Sequence, residues 1–312
     1  MSVHPVSSFS VTVATLRRAG CVFAEDEASL LLEAAASPDE LSLLVERRAA
    51  GLPLEHVLGW AEFHGRRIAV DTGVFVPRRR TEFLVAQAAA LAPRRAVVVD
   101  LCCGSGALGV ALATALDRVD LHACDVEPAA VRCARRNVGE LGEVYEGDLF
   151  DPLPARLRGR VDVLLANVPY VPTADVELLP AEARVHEPRV ALDGGGDGLD
   201  VMRRVAAEAP AWLAPGGSLL VEASERQRDV AVEILRAAGL TPRVRVSEEL
   251  YATVLVGTLE TGPAGVAETP VRGTETAPAG VAETLARTAG TAAARTGGTA
   301  DPATVPNSSV QD

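Results

Sequence analysis

From Ala96 onward, short apolar runs alternate with helix-length amphipathic stretches, and no other feature constrains the fold as much. Residues 96–101, 120–124, 161–166 and 218–223 have the length and apolar content of buried strands. Residues 106–116, 128–141, 198–213 and 226–238 between them read as helices. Two late runs, 243–246 and 251–256, suit a closing antiparallel pair. Alternation of this kind predicts an α/β fold, a parallel sheet with helices on both faces. Such sheets bind ligands at the carboxyl ends of their strands, so the site is expected there.

The preceding residues read as helical. Ser37-Pro38-Asp39-Glu40 starts a helix, with a serine cap, a proline in the first turn and a glutamate placed to complete a capping box. Leu41, Leu44 and Val45 then form an apolar stripe, and Gly51 can close the helix. Ile68 and Val70, a turn at Asp71-Thr72-Gly73, and Val74 and Val76 suggest a short β-hairpin. A helix from Thr81 to Ala92, stopped by Pro93, follows. The expected division is a helical segment over 1–65, a hairpin linker over 66–80, the α/β domain over 81–259 and a tail over 260–312. The tail is mostly Thr, Ala, Gly, Pro and Glu. In it Thr261-Gly-Pro-Ala-Gly-Val-Ala-Glu-Thr269 recurs nearly unchanged at 276–284. With so little apolar surface to bury, it is expected to be disordered and low in complexity.

Composition narrows the partners. The chain of 312 residues has no lysine and a net charge of −12, a poor endowment for gripping phosphate backbones. No direct nucleic-acid binding is expected. Aromatics are 4%, so Ala, Val and Leu must fill the core. No apolar run approaches the ~20 residues that cross a bilayer, and no basic-then-apolar leader opens the chain. The five cysteines lack zinc-like spacing. A reduced cytoplasmic protein without a metal or a membrane anchor is the expectation.

The strongest local signal is Val97-Val-Val-Asp100-Leu-Cys-Cys-Gly104-Ser-Gly106-Ala-Leu-Gly109, a buried strand running through a glycine turn into a helix. Glycines let the backbone approach a ligand closely, and the helix start offers free N–H groups. Asp125, 19 residues beyond Gly106, ends the next strand. A carboxylate there suits both hydroxyls of a ribose, and it could also cap the helix that starts at Pro128. The spacing of Asp100, Gly104 and Gly106 resembles the D-x-x-G-x-G loop that holds S-adenosylmethionine in class I methyltransferases. Asp148 and Leu149, at a third strand end, fall where that fold places an acidic residue near the adenine. Cys102 and Cys103 are expected to serve as small residues in the tight loop.

Asn167-Val168-Pro169-Tyr170 directly follows the run 163–166. An amide oxygen and a backbone carbonyl can accept both hydrogens of a planar –NH₂ while an aromatic ring stacks on its face. An amide nitrogen is a weak nucleophile because its lone pair is delocalised. Holding both N–H bonds aims that lone pair, so positioning would supply much of the catalysis. His186 fits a structural role better than that of a base, because amide methylation needs no early deprotonation.

Taken together, these motifs resemble the HemK/PrmC family of protein-(glutamine) methyltransferases over residues 41–257. Arg47-Arg-Ala-Ala-Gly-Leu-Pro-Leu-Glu-His-Val-Leu-Gly-Trp-Ala-Glu-Phe63 is similar to that family's exit from its helical domain. Val76-Pro77-Arg78-Arg79-Arg80-Thr81-Glu82 is similar to its P-R-P-x-T-E signature. Arg184-Val-His186-Glu187-Pro188-Arg189-Val-Ala-Leu-Asp193-Gly-Gly-Gly-Asp197-Gly-Leu-Asp200 is close to a stretch that adenine methyltransferases lack.

The resemblance implies a class I, Rossmann-like, S-adenosylmethionine-dependent methyltransferase with a small helical N-terminal substrate-recognition domain. Asp100, Cys102, Cys103, Gly104, Ser105, Gly106, Asp125, Asp148, Leu149 and Asn167 would hold the cofactor. Asn167, Val168, Pro169 and Tyr170 would hold the glutamine, with Asn167, Pro169 and Tyr170 carrying the catalysis. The acceptor would be a protein, a release factor or a ribosomal protein. Two departures stand out: Val168 replaces the family's usual proline, and Arg79 and Arg80 replace a proline and an acidic residue. The arginine run could be a solvated turn or a dock for an acidic acceptor. Two other functions stay open on sequence alone, methylation of an exocyclic amine on DNA or RNA and a non-catalytic cofactor-binding subunit.

Overall fold

The computed structural model describes residues 5–261, and in them the helices come first. Helices α1 (Pro5–Arg18), α2 (Ala24–Ala34), α3 (Pro38–Ala49) and α4 (Leu54–Leu58) share a small core of their own around Leu16, Ala28, Leu31 and Val57. At the start of α3 the Ser37 hydroxyl accepts the Glu40 N–H at 3.2 Å, as expected. The Glu40 carboxylate does not close the box on Ser37. It accepts the Ala36 N–H instead, at 2.7 Å.

The hairpin is not where the sequence suggested. Strand β1 (Trp60–Phe63) pairs antiparallel with β2 (Arg66–Ala69), and the turn is His64-Gly65, with φ of 51° and 70°. Two successive positive φ angles give the tight turn whose twist matches its strands. Residues 71–76 form no strand. Val74 and Val76 are buried as extended loop against Val70, Ala130 and Cys133, so their alternation reflects packing rather than pairing. A 3₁₀ turn at Arg79–Thr81 leads into α5 (Glu82–Leu91).

The sheet domain then runs β3 (Arg95–Leu101), α6 (Ala107–Ala115), β4 (Arg118–Asp125), α7 (Pro128–Val138), β5 (Gly142–Glu146), β6 (Val161–Ala166), α8 (Ala181–His186), α9 (Asp200–Trp212), β7 (Leu213–Glu222), α10 (Arg228–Ala237), β8 (Thr241–Ser247) and β9 (Ala252–Thr258). The strand order is β5-β4-β3-β6-β7-β9-β8. Only the β7–β9 and β8–β9 pairs are antiparallel. Edge strand β5 is half exposed and polar, which is why no apolar run announced it. Val163, Leu164, Leu165 and Ala166 of β6 are wholly buried, between hydrophobic clusters on the two faces of the sheet. Each buried Val or Leu contributes ~1.5–3 kcal/mol. The order changes direction between β3 and β6, and a sheet of this kind opens its ligand crevice beside their carboxyl ends.

The low-complexity tail expected after residue 260 lies outside the described residues from position 262 on. Among the described residues no helix is long and apolar enough to cross a membrane.

Candidate active site

A cavity of about 540 Å³ opens at the carboxyl ends of β3, β4 and β6. It gathers every site residue named above except Gly106: Asp100, Cys102, Cys103, Gly104, Ser105, Asp125, Asp148, Leu149, Asn167, Val168, Pro169 and Tyr170 all line it. Gly106 sits behind the loop. Its φ is 78°, and a Cβ there would come within 3.2 Å of Val138 and 3.4 Å of Ala134, so this glycine serves the packing of α6 on α7.

The loop after β3 turns through positive φ at Cys102 (52°) and Gly104 (55°) and is stitched to β4, the Cys103 N–H donating to the Cys124 carbonyl at 3.0 Å. Asp125 completes the stitching. Its Oδ2 accepts the Gly104 N–H at 2.8 Å and its Oδ1 the Glu127 N–H at 2.9 Å. It therefore ties the loop to the strand end, while Glu127 occupies the cap position of α7. Burial lifts the Asp125 carboxyl above the ordinary range in spite of these bonds.

Asp100 lies under the loop, 1% exposed. One oxygen accepts the Gly109 N–H at 2.9 Å, and the other is buried with no hydrogen-bond partner among the described residues. Burial pushes its carboxyl up to about 7, with the charge of Asp125 adding to the effect and the Gly109 bond opposing it. Burial also holds the Cys102 and Cys103 thiols well above the usual range, which suits small packing residues rather than nucleophiles. On the third strand end, Asp148 is half exposed and paired with Arg204 at 2.6 Å, and Leu149 is buried at φ 48°.

At the end of β6, next to the loop after β3, Asn167 Oδ1 is buried and unpartnered among the described residues. The Tyr170 ring does not hang free. Its hydroxyl accepts from Arg80 and donates to Glu222 Oε1 at 3.0 Å, and its carbonyl accepts from Gln227 Nε2 at 2.8 Å. Burial and the Glu222 charge raise the phenol to about 12, so it is neutral and can both donate and accept.

Two members of the arginine run, Arg78 and Arg80, are engaged with buried carboxylates, while Arg79 is exposed. Arg78 donates to both Glu187 oxygens at 2.7 and 2.6 Å, and Arg80 Nε donates to Glu222 at 2.8 Å. In the H-E-P stretch it is Glu187, not His186, that is engaged, taking the Val76 N–H as well at 3.2 Å. Thr81, Glu187, Glu222 and Gln227 went unassigned on sequence alone, and Arg80 was expected to be solvated or to meet an acidic acceptor. The one available signal was Glu222, a lone charge at the end of an otherwise apolar strand run.

The residues fit S-adenosylmethionine. A buried carboxylate oxygen without a partner, a carboxylate at the second strand end, and a glycine turn at a helix start together suit a cationic nucleoside. A Cβ on Gly104 would meet nothing within 4 Å, so its φ rather than crowding asks for glycine there.

Residues 67–204 match the family model described as "Methyltransferase small domain". The chain is 41% identical to the release factor glutamine methyltransferase of Geobacter sulfurreducens over 209 residues, 65% of this chain and 72% of that protein. It is 37% identical to the release factor glutamine methyltransferase of Deinococcus radiodurans over 257 residues, 74% of this chain and 90% of that protein. With the sheet order, the cofactor loop and the N-x-P-Y wall in place, the chain belongs to the HemK/PrmC family of protein-(glutamine) methyltransferases, which are S-adenosylmethionine-dependent.

Proposed function

We propose that this chain methylates the side-chain amide nitrogen of a glutamine in a protein acceptor, that the acceptor is a release factor, and that the reaction takes place in the cytoplasm. The observation that carries this reading is the buried, unpartnered Asn167 Oδ1, which lines the cavity at the strand end next to the loop after β3. A buried acceptor without a donor costs ~1–3 kcal/mol, and an amide N–H entering the cavity removes that cost.

S-adenosylmethionine, when bound, supplies the methyl electrophile. The chain's own residues hold and aim the nucleophile. Asn167 Oδ1 and the Val168 carbonyl accept the two N–H bonds of the glutamine, and the Tyr170 ring covers the face of the amide. Fixed in this way, the nitrogen directs its lone pair into the cavity rather than rotating freely, which makes the encounter effectively intramolecular. Val168 retains the carbonyl that the family's usual proline would present. The nitrogen sheds its proton to solvent once the new bond has formed, so no side-chain base is called for. On the other wall Asp125 takes the ribose hydroxyls and Asp100 faces positive charge. The helical segment of residues 1–65 contributes Pro53 and Glu55 to the cavity rim and recognises the acceptor.

The test uses methyl-labelled S-adenosylmethionine, the protein and a bacterial extract. Label that is lost to protease and resistant to nuclease is the expected result. Nuclease-sensitive label would point to a base amine instead, and cofactor binding without any transfer would point to a non-catalytic subunit.

A further inference from the structure

Arg80 is the last of three successive arginines, Arg78-Arg79-Arg80, in the turn before α5. Its guanidinium is engaged twice on the acceptor wall. Nε donates to Glu222 Oε1 at 2.8 Å, and Nη2 donates to the Tyr170 hydroxyl. The hydroxyl donates its own proton to the same Oε1 at 3.0 Å, while the Thr81 hydroxyl donates to Oε2 at 2.7 Å. Glu222 closes β7 with its side chain 3% exposed, so a buried charge, a cation and a phenol form one closed triangle.

We propose that Arg80 is a positioning residue: with Glu222 it clamps the Tyr170 ring against the acceptor amide and sets the rate of transfer through the tyrosine hydroxyl. What Tyr170 faces rests on the glutamine reading above; the clamp does not. Gln227 anchors the backbone end of the residue through the Tyr170 carbonyl. Without Arg80 and Glu222 the ring could still swing about its side-chain torsions. Two hydrogen bonds at its far end remove that freedom, and a stacking face is only useful in one plane. A carboxylate at position 80 could donate to neither acceptor. A lysine could pair with Glu222 yet lacks the second, rigidly spaced nitrogen that reaches the phenol.

The test is a double-mutant cycle with Arg80→Lys, Tyr170→Phe and both together. Each single variant keeps a cation opposite Glu222, so the buried carboxylate is not orphaned. Single-turnover transfer to a release factor is measured at saturating cofactor and acceptor. Because misalignment is the only defect, each single variant should slow about tenfold with cofactor affinity unchanged. The double variant should be no slower than Tyr170→Phe alone, because the bond lost in Arg80→Lys is one of the two that Tyr170→Phe removes. Multiplicative slowing, about a hundredfold, or an Arg80→Lys variant at the wild-type rate would overturn the proposal.

A second readout does not depend on the reaction. With the three tyrosines ¹³C-labelled at Cζ, Arg80→Lys should move the Tyr170 resonance and leave Tyr145 and Tyr251 in place. An unmoved Tyr170 would overturn the clamp whatever the acceptor. A moved Tyr170 in a protein that methylates no glutamine would uphold the Arg80–Tyr170 contact and refute the glutamine reading instead.

Discussion

The two walls of the cavity are built in different ways. The wall proposed to hold the cofactor is local: Asp100 bonds to Gly109, Asp125 to Gly104 and Glu127, and the loop backbone to the neighbouring strand. The wall proposed to hold the acceptor is assembled from a distance. Tyr170 is 90 residues from Arg80, 52 from Glu222 and 57 from Gln227 in the chain. A wall formed by one strand-to-helix turn is set mainly by backbone geometry and a few carboxylates. A wall formed by converging side chains is only as well aimed as each contributor. Damage to the first should appear as lost cofactor affinity, and damage to the second as lost rate.

The largest expected effect is on the acceptor wall. Asn167→Ala should slow single-turnover transfer on the order of a hundredfold, because the amide nitrogen is no longer held. Cofactor affinity measured in parallel should fall far less. Equal losses in both would erase the distinction between the walls.

Asp125→Ala comes next and should show the opposite pattern. Losing a charged acceptor costs ~1.5–3 kcal/mol, or about one to two decades in S-adenosylmethionine affinity by calorimetry. The melting temperature of the unliganded protein should fall as well, because the Gly104 and Glu127 N–H groups both lose their acceptor. An affinity left intact would remove Asp125 from the cofactor wall.

A smaller effect is expected from Asp100, whose carboxyl burial lifts to about 7. The unfolded chain releases this proton near pH 3.9, so the folded state binds more protons in between and its stability declines as pH rises through 7. A cation placed beside the free oxygen reverses the preference. Added S-adenosylmethionine should therefore raise the melting temperature more at pH 8 than at pH 6, and Asp100→Asn should abolish that difference. Equal increments at the two pH values in the wild type would count against Asp100 as a partner of the cofactor.

The smallest effect is expected at Val168→Pro. The residue is 2% exposed, and proline conserves its bulk and its carbonyl. Single-turnover transfer should stay within about twofold of wild type or rise. A large loss would show that the valine is more than a stand-in for the usual proline.

The same difference between the walls explains how far the sequence could be read. The sheet was legible because period and length mark buried strands, and 161–166 was placed to the residue. The glycine turn after β3 was legible as a strand-to-helix turn because its partners lie within a few residues or on the next strand. Gly106 lies outside the cavity lining, since positive φ serves packing as readily as ligand approach. The hairpin was displaced because buried valines at 74 and 76 alternate like a strand without pairing, whereas the His64-Gly65 turn carries its signal in φ angles rather than in residue types. For Tyr170 the ring was anticipated and its hydroxyl was not. No local pattern links position 80 to position 222; only the fold brings the carboxyl end of β7 beside the turn before α5.

The central claim is that a glutamine side-chain nitrogen receives the methyl group. The most direct measurement incubates this protein with S-adenosylmethionine and a purified bacterial release factor, then locates the added methyl by tandem mass spectrometry. The account predicts one methyl on the side chain of a single glutamine, absent when that glutamine is replaced by glutamate and strongly reduced with Asn167→Ala. A methyl on any other side chain, or on nucleic acid carried with the acceptor and not on protein, would contradict it.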